Sequence, residues 1–274
     1  MTKKANKQQE DTATVIHTFR GSKEEQLQSL YDQWFKCQRC GLKDFRCTDD
    51  GQEIEDIVFC SGNPDSGVMI VGEAPGEEEM KELVPFVGRS GKLLNQILAA
   101  TAADQEVKTE YVKYLKSTRS RNAEREFHDF MFRWREKNVF ITNIVSCRPP
   151  ENRQPIPPEI KACNERLMNI IYIVDPIVII ASGKTAAETL INKKLEVTTK
   201  RGELFDMRMK GKVGELTYPV IITLHPSYLL RKADWNVPGG DYSKTLMDFM
   251  KAFRVYDFLM EKNFGIPQPN RGIS

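Results

Sequence analysis

"GVMIVGEAPG", residues 67–76, is an apolar run that ends at a glycine and breaks into a Gly/Pro-rich turn. Three further runs share its form: "NVFITN" at 138–143, "PIVIIA" at 176–181 and "PVIITL" at 219–224. Each is apolar throughout rather than alternating, the pattern of strands covered on both faces in a parallel sheet. Helical patterns fall between and after them, at Gly91–Ala102, Pro158–Val174, Lys184–Ile191 and Tyr242–Lys262. Ahead of them "SKEEQLQSLYDQWFKC" places a Ser cap three residues before a Glu, which predicts a helix over Lys23–Lys36. The alternation predicts a three-layer α/β/α sandwich around a central, mainly parallel four-stranded sheet. "RGELFDMRMKGKVGELTY", before the last strand, reads as a β-hairpin.

Every strand runs into an unusual loop. "MIVG" meets "EAPG", "FIT" meets Asn143, "VIIA" meets "SGKT" and "IITL" meets "HPSY". Ligands of open parallel sheets bind beyond the carboxyl ends of the strands, so the four loops mark one site.

Composition sets the bounds around this site. The chain has 274 residues, 40% hydrophobic and 28% charged, enough for a full core in a soluble globular protein. A net charge of +2 does not by itself indicate nucleic acid. No apolar run approaches the roughly 20 residues of a membrane span, and Met1–Asp11 is polar, unlike a signal peptide. A cytoplasmic location is therefore expected, nucleoid-associated in a prokaryote. In such a reducing compartment six cysteines argue for metal or catalysis before disulfides. Residues 1–22 read as a flexible polar tail and 23–274 as the domain. Within it, residues 104–137 hold nine Lys or Arg and read as a basic helical insertion. The insertion is either a solvated face or an extra contact for DNA or for a replication or repair protein.

The motifs differ in weight. "SGKT" at 182–185 is not a phosphate loop, because the required earlier glycine is Val178. "CQRC" at 37–40 ends a helix, unlike a redox C-x-x-C. Two sets complete four thiols: Cys37, Cys40, Cys47 and Cys60 as a zinc knuckle, or Cys37, Cys40, Cys147 and Cys163 for an iron–sulfur centre. The loop "SCRPPENRQPIPPEIKAC", 146–163, favours the second, though spacing alone leaves both open. His225 stands at a strand end in the mouth, whereas His17 and His128 read as surface residues.

Taken in order, "GEAPG" at 72–76, "PFVGRSG" at 85–91, "TNIVSCRPPENRQP" at 142–155 and "HPSYLLR" at 225–231 resemble the family 4, iron–sulfur uracil-DNA glycosylases. The resemblance covers about Leu27 to Phe258. It implies a monomeric enzyme that hydrolyses the N-glycosidic bond of uracil flipped out of DNA and initiates base-excision repair. It also implies a 4Fe-4S cluster on Cys37, Cys40, Cys147 and Cys163, leaving Cys47 and Cys60 as extras. Phe86 matches the residue that stacks on the flipped base, Asn143 the residue that reads uracil, and His225 the active-site histidine. Ala74 lines the base where other families carry an Asp. Glu73, with Glu79 second, is the candidate to position the attacking water. Arg153, Ser227 and Arg231 suit DNA phosphates, and Tyr228, Leu229 or Leu230 a wedge into the vacated stack.

Departures from the family pattern lie beside the pocket. Leu83 stands where the family usually has Gly, and Met80 where an Asp commonly follows the acidic run. Gly76 leaves open how thymine is rejected. These departures, with the insertion, carry two alternatives. One is a catalytically weak, replication-associated DNA-binding module; the other is a glycosylase for another modified base.

Overall fold

The computed structural model describes residues 15–117, 120–232 and 236–264. The strands are β1 (Cys60–Gly62), β2 (Val68–Gly72), β3 (Phe140–Asn143), β4 (Val178–Ser182), β5 (Leu204–Lys210) and β6 (Glu215–Thr223). The helices are α1 (Lys23–Asp32), α2 (Glu77–Glu82), α3 (Arg89–Thr101), α4 (Gln105–Lys116), α5 (Arg121–Asn138) and α6 (Pro157–Val174). They continue as α7 (Lys184–Ile191), α8 (Val197–Lys200), α9 (Pro226–Leu230) and α10 (Asp241–Phe264).

The sheet has six strands in the order β1-β3-β2-β4-β6-β5, not four. Its inner four, β3-β2-β4-β6, are parallel and are the apolar runs of the sequence. Antiparallel β1 and β5 close the two edges. β1 is only three half-buried residues, "CSG", too short and too polar to carry a strand signal. Their registers pair Gly72 with Asn143, Val71 with Ala181 and Ser182 with Thr223, so the carboxyl tips stand level. On one side α10 packs on β4, β6 and α3, and the α4–α5 hairpin packs on α3. α7 covers β2, β4 and β5, and α1 lies on α6. Among the described residues no helix is long and apolar enough to cross a membrane.

The N-terminal segment is less loose than its composition suggests. The His17 amide donates to Asn169 Oδ1 at 2.7 Å and the Asn169 amide group donates to Val15 O at 2.8 Å. His17 Nε2 also meets Glu165 Oε1 at 2.8 Å, so His17 is docked on α6 rather than left on an open surface. Residues 1–14 lie outside the described part.

Two arginines are wholly buried. Arg166 of α6 donates to the carbonyls of Asn143 at 2.6 Å and Ile144 at 3.1 Å, and to Thr142 Oγ1 at 3.2 Å. Arg135 of α5 donates to Phe86 O at 2.8 Å and Pro85 O at 3.3 Å. Both carbonyl sets sit where the chain leaves regular structure and has no ladder partner, and a buried unpaired carbonyl is costly. Arg135 makes the basic insertion part of the core, not only a solvated face. Arg166→Ala is expected to cost about 3 kcal/mol by orphaning these acceptors. Urea denaturation would read this as a lowered midpoint, against an exposed Lys161→Ala control within about 0.5 kcal/mol.

Candidate active site

Gly72 ends β2, and a β-carbon there would stand 2.7 Å from the Phe86 ring and collide with Asn143 Oδ1. The glycine therefore lets an aromatic face and a carboxamide meet over the strand tips. Phe86 adopts a left-handed backbone, φ 57°, and is 5% exposed. That conformation costs a non-glycine residue about 1–2 kcal/mol. The Arg135 bond to its carbonyl and the close seat of Gly91 beneath it hold it there. Asn143 is 2% exposed, and its Oδ1 has no hydrogen-bond partner among the described residues. A buried unpaired amide oxygen is rare in a native fold and marks a place for a ligand donor.

His225 lies across the mouth, its ring 5.7 Å from that of Phe86. It is the N-cap of the short helix α9, and Nδ1 accepts from the Ser227 amide at 3.1 Å. A backbone N–H can only donate, so Nδ1 is unprotonated and the neutral ring carries its proton on Nε2. Burial, with the nearby Arg231 charge, pushes the imidazole down to about 4 and keeps it neutral at pH 7. Ser227 thus orients the histidine, and Arg231 Nη1 reaches Ser227 Oγ at 3.3 Å.

"SGKT" connects the two remaining groups. Gly183, at φ 94°, would place a β-carbon 2.9 Å from His225 Cβ, so only glycine allows this approach. Two residues on, Thr185 Oγ1 donates to Glu73 Oε2. Burial raises the Glu73 carboxyl above its ordinary value, while Thr185 and then Arg231 oppose that shift. Glu73 and Ala74 after β2, Phe86 between α2 and α3, Asn143 at the tip of β3 and His225 after β6 thus come from four segments at the level strand tips.

Other candidates do not join them. Glu79 accepts from two backbone amides, one on each oxygen, Gly76 at 3.0 Å and Gly88 at 2.9 Å, and so staples the two loops. It also accounts for Gly76, whose β-carbon would lie 2.7 Å from that carboxylate. Leu83 caps α2 at φ 56°, a left-handed position that suits glycine. Arg153 is exposed but forks onto Glu159 at 2.9 and 2.6 Å. Leu229 is fully buried and cannot act as a wedge; Tyr228 and Leu230 are half-exposed. His128 is buried, not superficial, beside Phe127 and Tyr114, and burial pushes it down to about 4.

Arg135, Arg166, Gly72, Gly183 and Thr185 escaped the sequence reading. The two arginines left a trace there, since each falls on the apolar stripe of its helix, in line with Phe127 and Met131 or with Cys163 and Ile170.

The thiols settle which set gathers. Cys37, Cys40, Cys147 and Cys163 line one pocket with Trp34, Arg39 and Lys43. Cys60 lies on β1, and Cys47 lines a different cavity beside Arg148. Burial, then neighbouring Cys163, Cys37 and Cys40, pushes the Cys147 thiol up to about 12. Four ionised sulfurs need a compensating cation, so the donor set fits a thiolate-bound metal cluster. Among the described residues no group of three or more His, Cys, Asp or Glu stands in the arrangement that holds a metal ion, these cysteines included.

The comparisons with known proteins agree with this geometry. The chain is 35% identical over 211 residues to a type-4 uracil-DNA glycosylase of Thermotoga maritima, covering 77% of this chain and 86% of the relative. It is 31% identical over 223 residues to one of Pyrobaculum aerophilum, covering 81% and 92%. A DNA polymerase of Bacillus phage SP01 is 26% identical over 206 residues, covering 74% of this chain but 18% of the polymerase. The model of the uracil DNA glycosylase superfamily matches residues 59–249, a span that holds both Gly72 and His225, and the chain belongs to that superfamily.

Proposed function

We propose that this chain is a uracil-DNA glycosylase of the iron–sulfur type, releasing uracil from DNA and leaving an abasic site. The observation that carries the reading is the unpaired Asn143 oxygen, which meets the Phe86 ring over Gly72, with the His225 ring 5.7 Å from that of Phe86. An enzyme acting on a base must first take it out of the stack. Phe86 then offers a flat face to the extruded ring. The Asn143 carboxamide accepts from uracil N3–H and donates to O4; cytosine, with the opposite pattern, leaves both amide groups unpaired.

As the C1′–N1 bond breaks, its electrons move to the uracil ring and positive charge develops on the sugar. His225 Nε2–H is placed to donate to O2 of the departing anion. A neutral imidazole held at one tautomer by Ser227 needs no proton exchange with solvent for this. Glu73, ionised and held by Thr185, orients the water that forms the new C1′–O bond, takes the proton that this water loses, and faces the sugar cation. Arg231 is the exposed cation for phosphate, within reach of both carboxylate and imidazole fields. Cys37, Cys40, Cys147 and Cys163 would hold a 4Fe-4S cluster, whose thiolate bonds tie the N-terminal segment to the loop after β3 and to α6. A second reading, a weakly catalytic DNA-binding module of replication, is favoured by the phage polymerase match alone.

Incubation with a uracil-containing oligonucleotide followed by alkali is expected to give strand scission at the uracil. No scission at high enzyme would establish the binding module instead. Asn143→Ala should lose most discrimination between uracil and cytosine, by about 1–3 kcal/mol, while retaining the colour of the cluster. The pH profile follows from Glu73. It must be ionised, so turnover should fall as pH drops through a carboxyl value raised above the ordinary one. Thr185→Val removes a donor that lowers this value, so the acid limb should move upward, and Thr185→Ser should restore it. Protein purified without oxygen is expected to be brown, absorbing near ~400 nm, and Cys163→Ser should abolish the colour. A colourless protein carrying stoichiometric zinc would overturn the cluster assignment.

A further inference from the structure

We propose that the outer end of the α4–α5 hairpin is a second DNA-backbone contact, set beside the mouth and gripping phosphates away from the flipped nucleotide. This rests on the glycosylase reading of the mouth.

Position is the first observation. Asp248 of α10 accepts from Thr223, the last residue of β6, at 2.9 Å. Further along α10, Tyr256 lies against Gly67 at the start of β2. α10 therefore runs from the strand tips down to the strand starts. Tyr242, six residues before Asp248, stands about 9 Å beyond the tips at 1.5 Å per helical residue. Its hydroxyl lies 3.5 Å from that of Tyr111 on α4. The base of the hairpin is at the other end, where Trp134 Nε1 donates to Asp104 at 3.1 Å and α5 leads into β3. Hence α4 rises past the tips between Tyr111 and Lys116, and α5 descends from Arg121. A salt bridge of 3.4 Å from Lys92 to Glu124 holds the first turn of α5 against the first turn of α3, which opens just after Phe86.

Charge is the second. The described cations of this end are Lys113 and Lys116 on α4 and Arg121 on α5, with no acidic residue in 111–117 or 120–123. Lys116 and Arg121 are exposed and, among the described residues, neither has an ion-pair partner. Arg89, at the start of α3 just after the Phe86 loop, is also exposed and has no ion-pair partner among the described residues. By contrast, Lys113 and Arg125 are offset by Glu110 and Asp129. Unpaired cations on the side where DNA must enter lower their energy by displacing counterions from phosphates. Burying Arg135 in the core makes α5 a rigid arm for them.

The test is equilibrium binding of the full chain to a uracil-free duplex of about 30 base pairs at several salt concentrations, which requires no cleavage. Lys116→Ala/Arg121→Ala is expected to bind about 10-fold more weakly near 0.1 M salt. The slope of log K against log salt should shrink by about 2, near 0.9 per lost phosphate contact. Lys116→Arg/Arg121→Lys should keep the parent slope, and unchanged thermal melting would show that both variants fold. On uracil duplex the loss should appear in KM rather than kcat. A parent slope in the alanine variant overturns the proposal and leaves this face, with exposed Val112 and Leu115, to a protein partner. A parent protein that releases no uracil sinks the glycosylase reading without touching the slope measurement.

Discussion

Arg166 and Arg135 converge from two helices on the carbonyls of Asn143, Ile144, Pro85 and Phe86, and the mouth takes its shape from those bonds. A parallel strand that ends in a loop leaves acceptors with no neighbouring strand to satisfy them. Water would do so on an open surface, but here the acceptors are buried. A planar guanidinium presents several donors in a fixed fork, so one side chain fixes two carbonyls at once. That fixation lets Phe86 keep a left-handed backbone and Asn143 leave an oxygen unpaired. Both are costs that the surrounding bonds sustain in a preorganised site.

Burial acts against charge on the groups at the mouth. His225 is neutral, Asn143 is neutral and Glu73 is pushed toward its neutral form by burial. A low-dielectric pocket strengthens whatever charge the reaction creates, both the sugar cation and the departing anion. Exposed positive charge lies outside the mouth, on Arg231, Arg89, Lys116 and Arg121, where solvation keeps it inexpensive. The same separation appears at the cysteines: Cys147 and Cys163 are buried, while Arg39 and Lys43 border them from the solvent side.

The insertion joins these two roles. Its inner residues, Phe127, Met131 and Arg135, belong to the core and brace Phe86. Its outer residues are cations. The buried arginine at one end of α5 and the exposed cation at the other share one helix, with no flexible linker between them.

The sequence by itself determined the inner sheet, five of the helices and the edge of the sheet at which the strand-end loops gather. Short continuous apolar runs rich in Val and Ile and bounded by turn residues fit strands buried on both faces, and the loops that follow parallel strands gather at one edge. Lys184–Ile191 matches its helix residue for residue because a glycine before it and an asparagine after it are local stop signals. What only the tertiary structure decided was partnership. No local pattern distinguishes Glu79, a staple between two amides, from Glu73, a carboxylate on a threonine 112 residues away. Nor could spacing assign Cys147 and Cys163 rather than Cys47 and Cys60 to Cys37 and Cys40. Hydrogen bonds and thiol gatherings are set by distances through space, and those exist only once the sheet has aligned its tips.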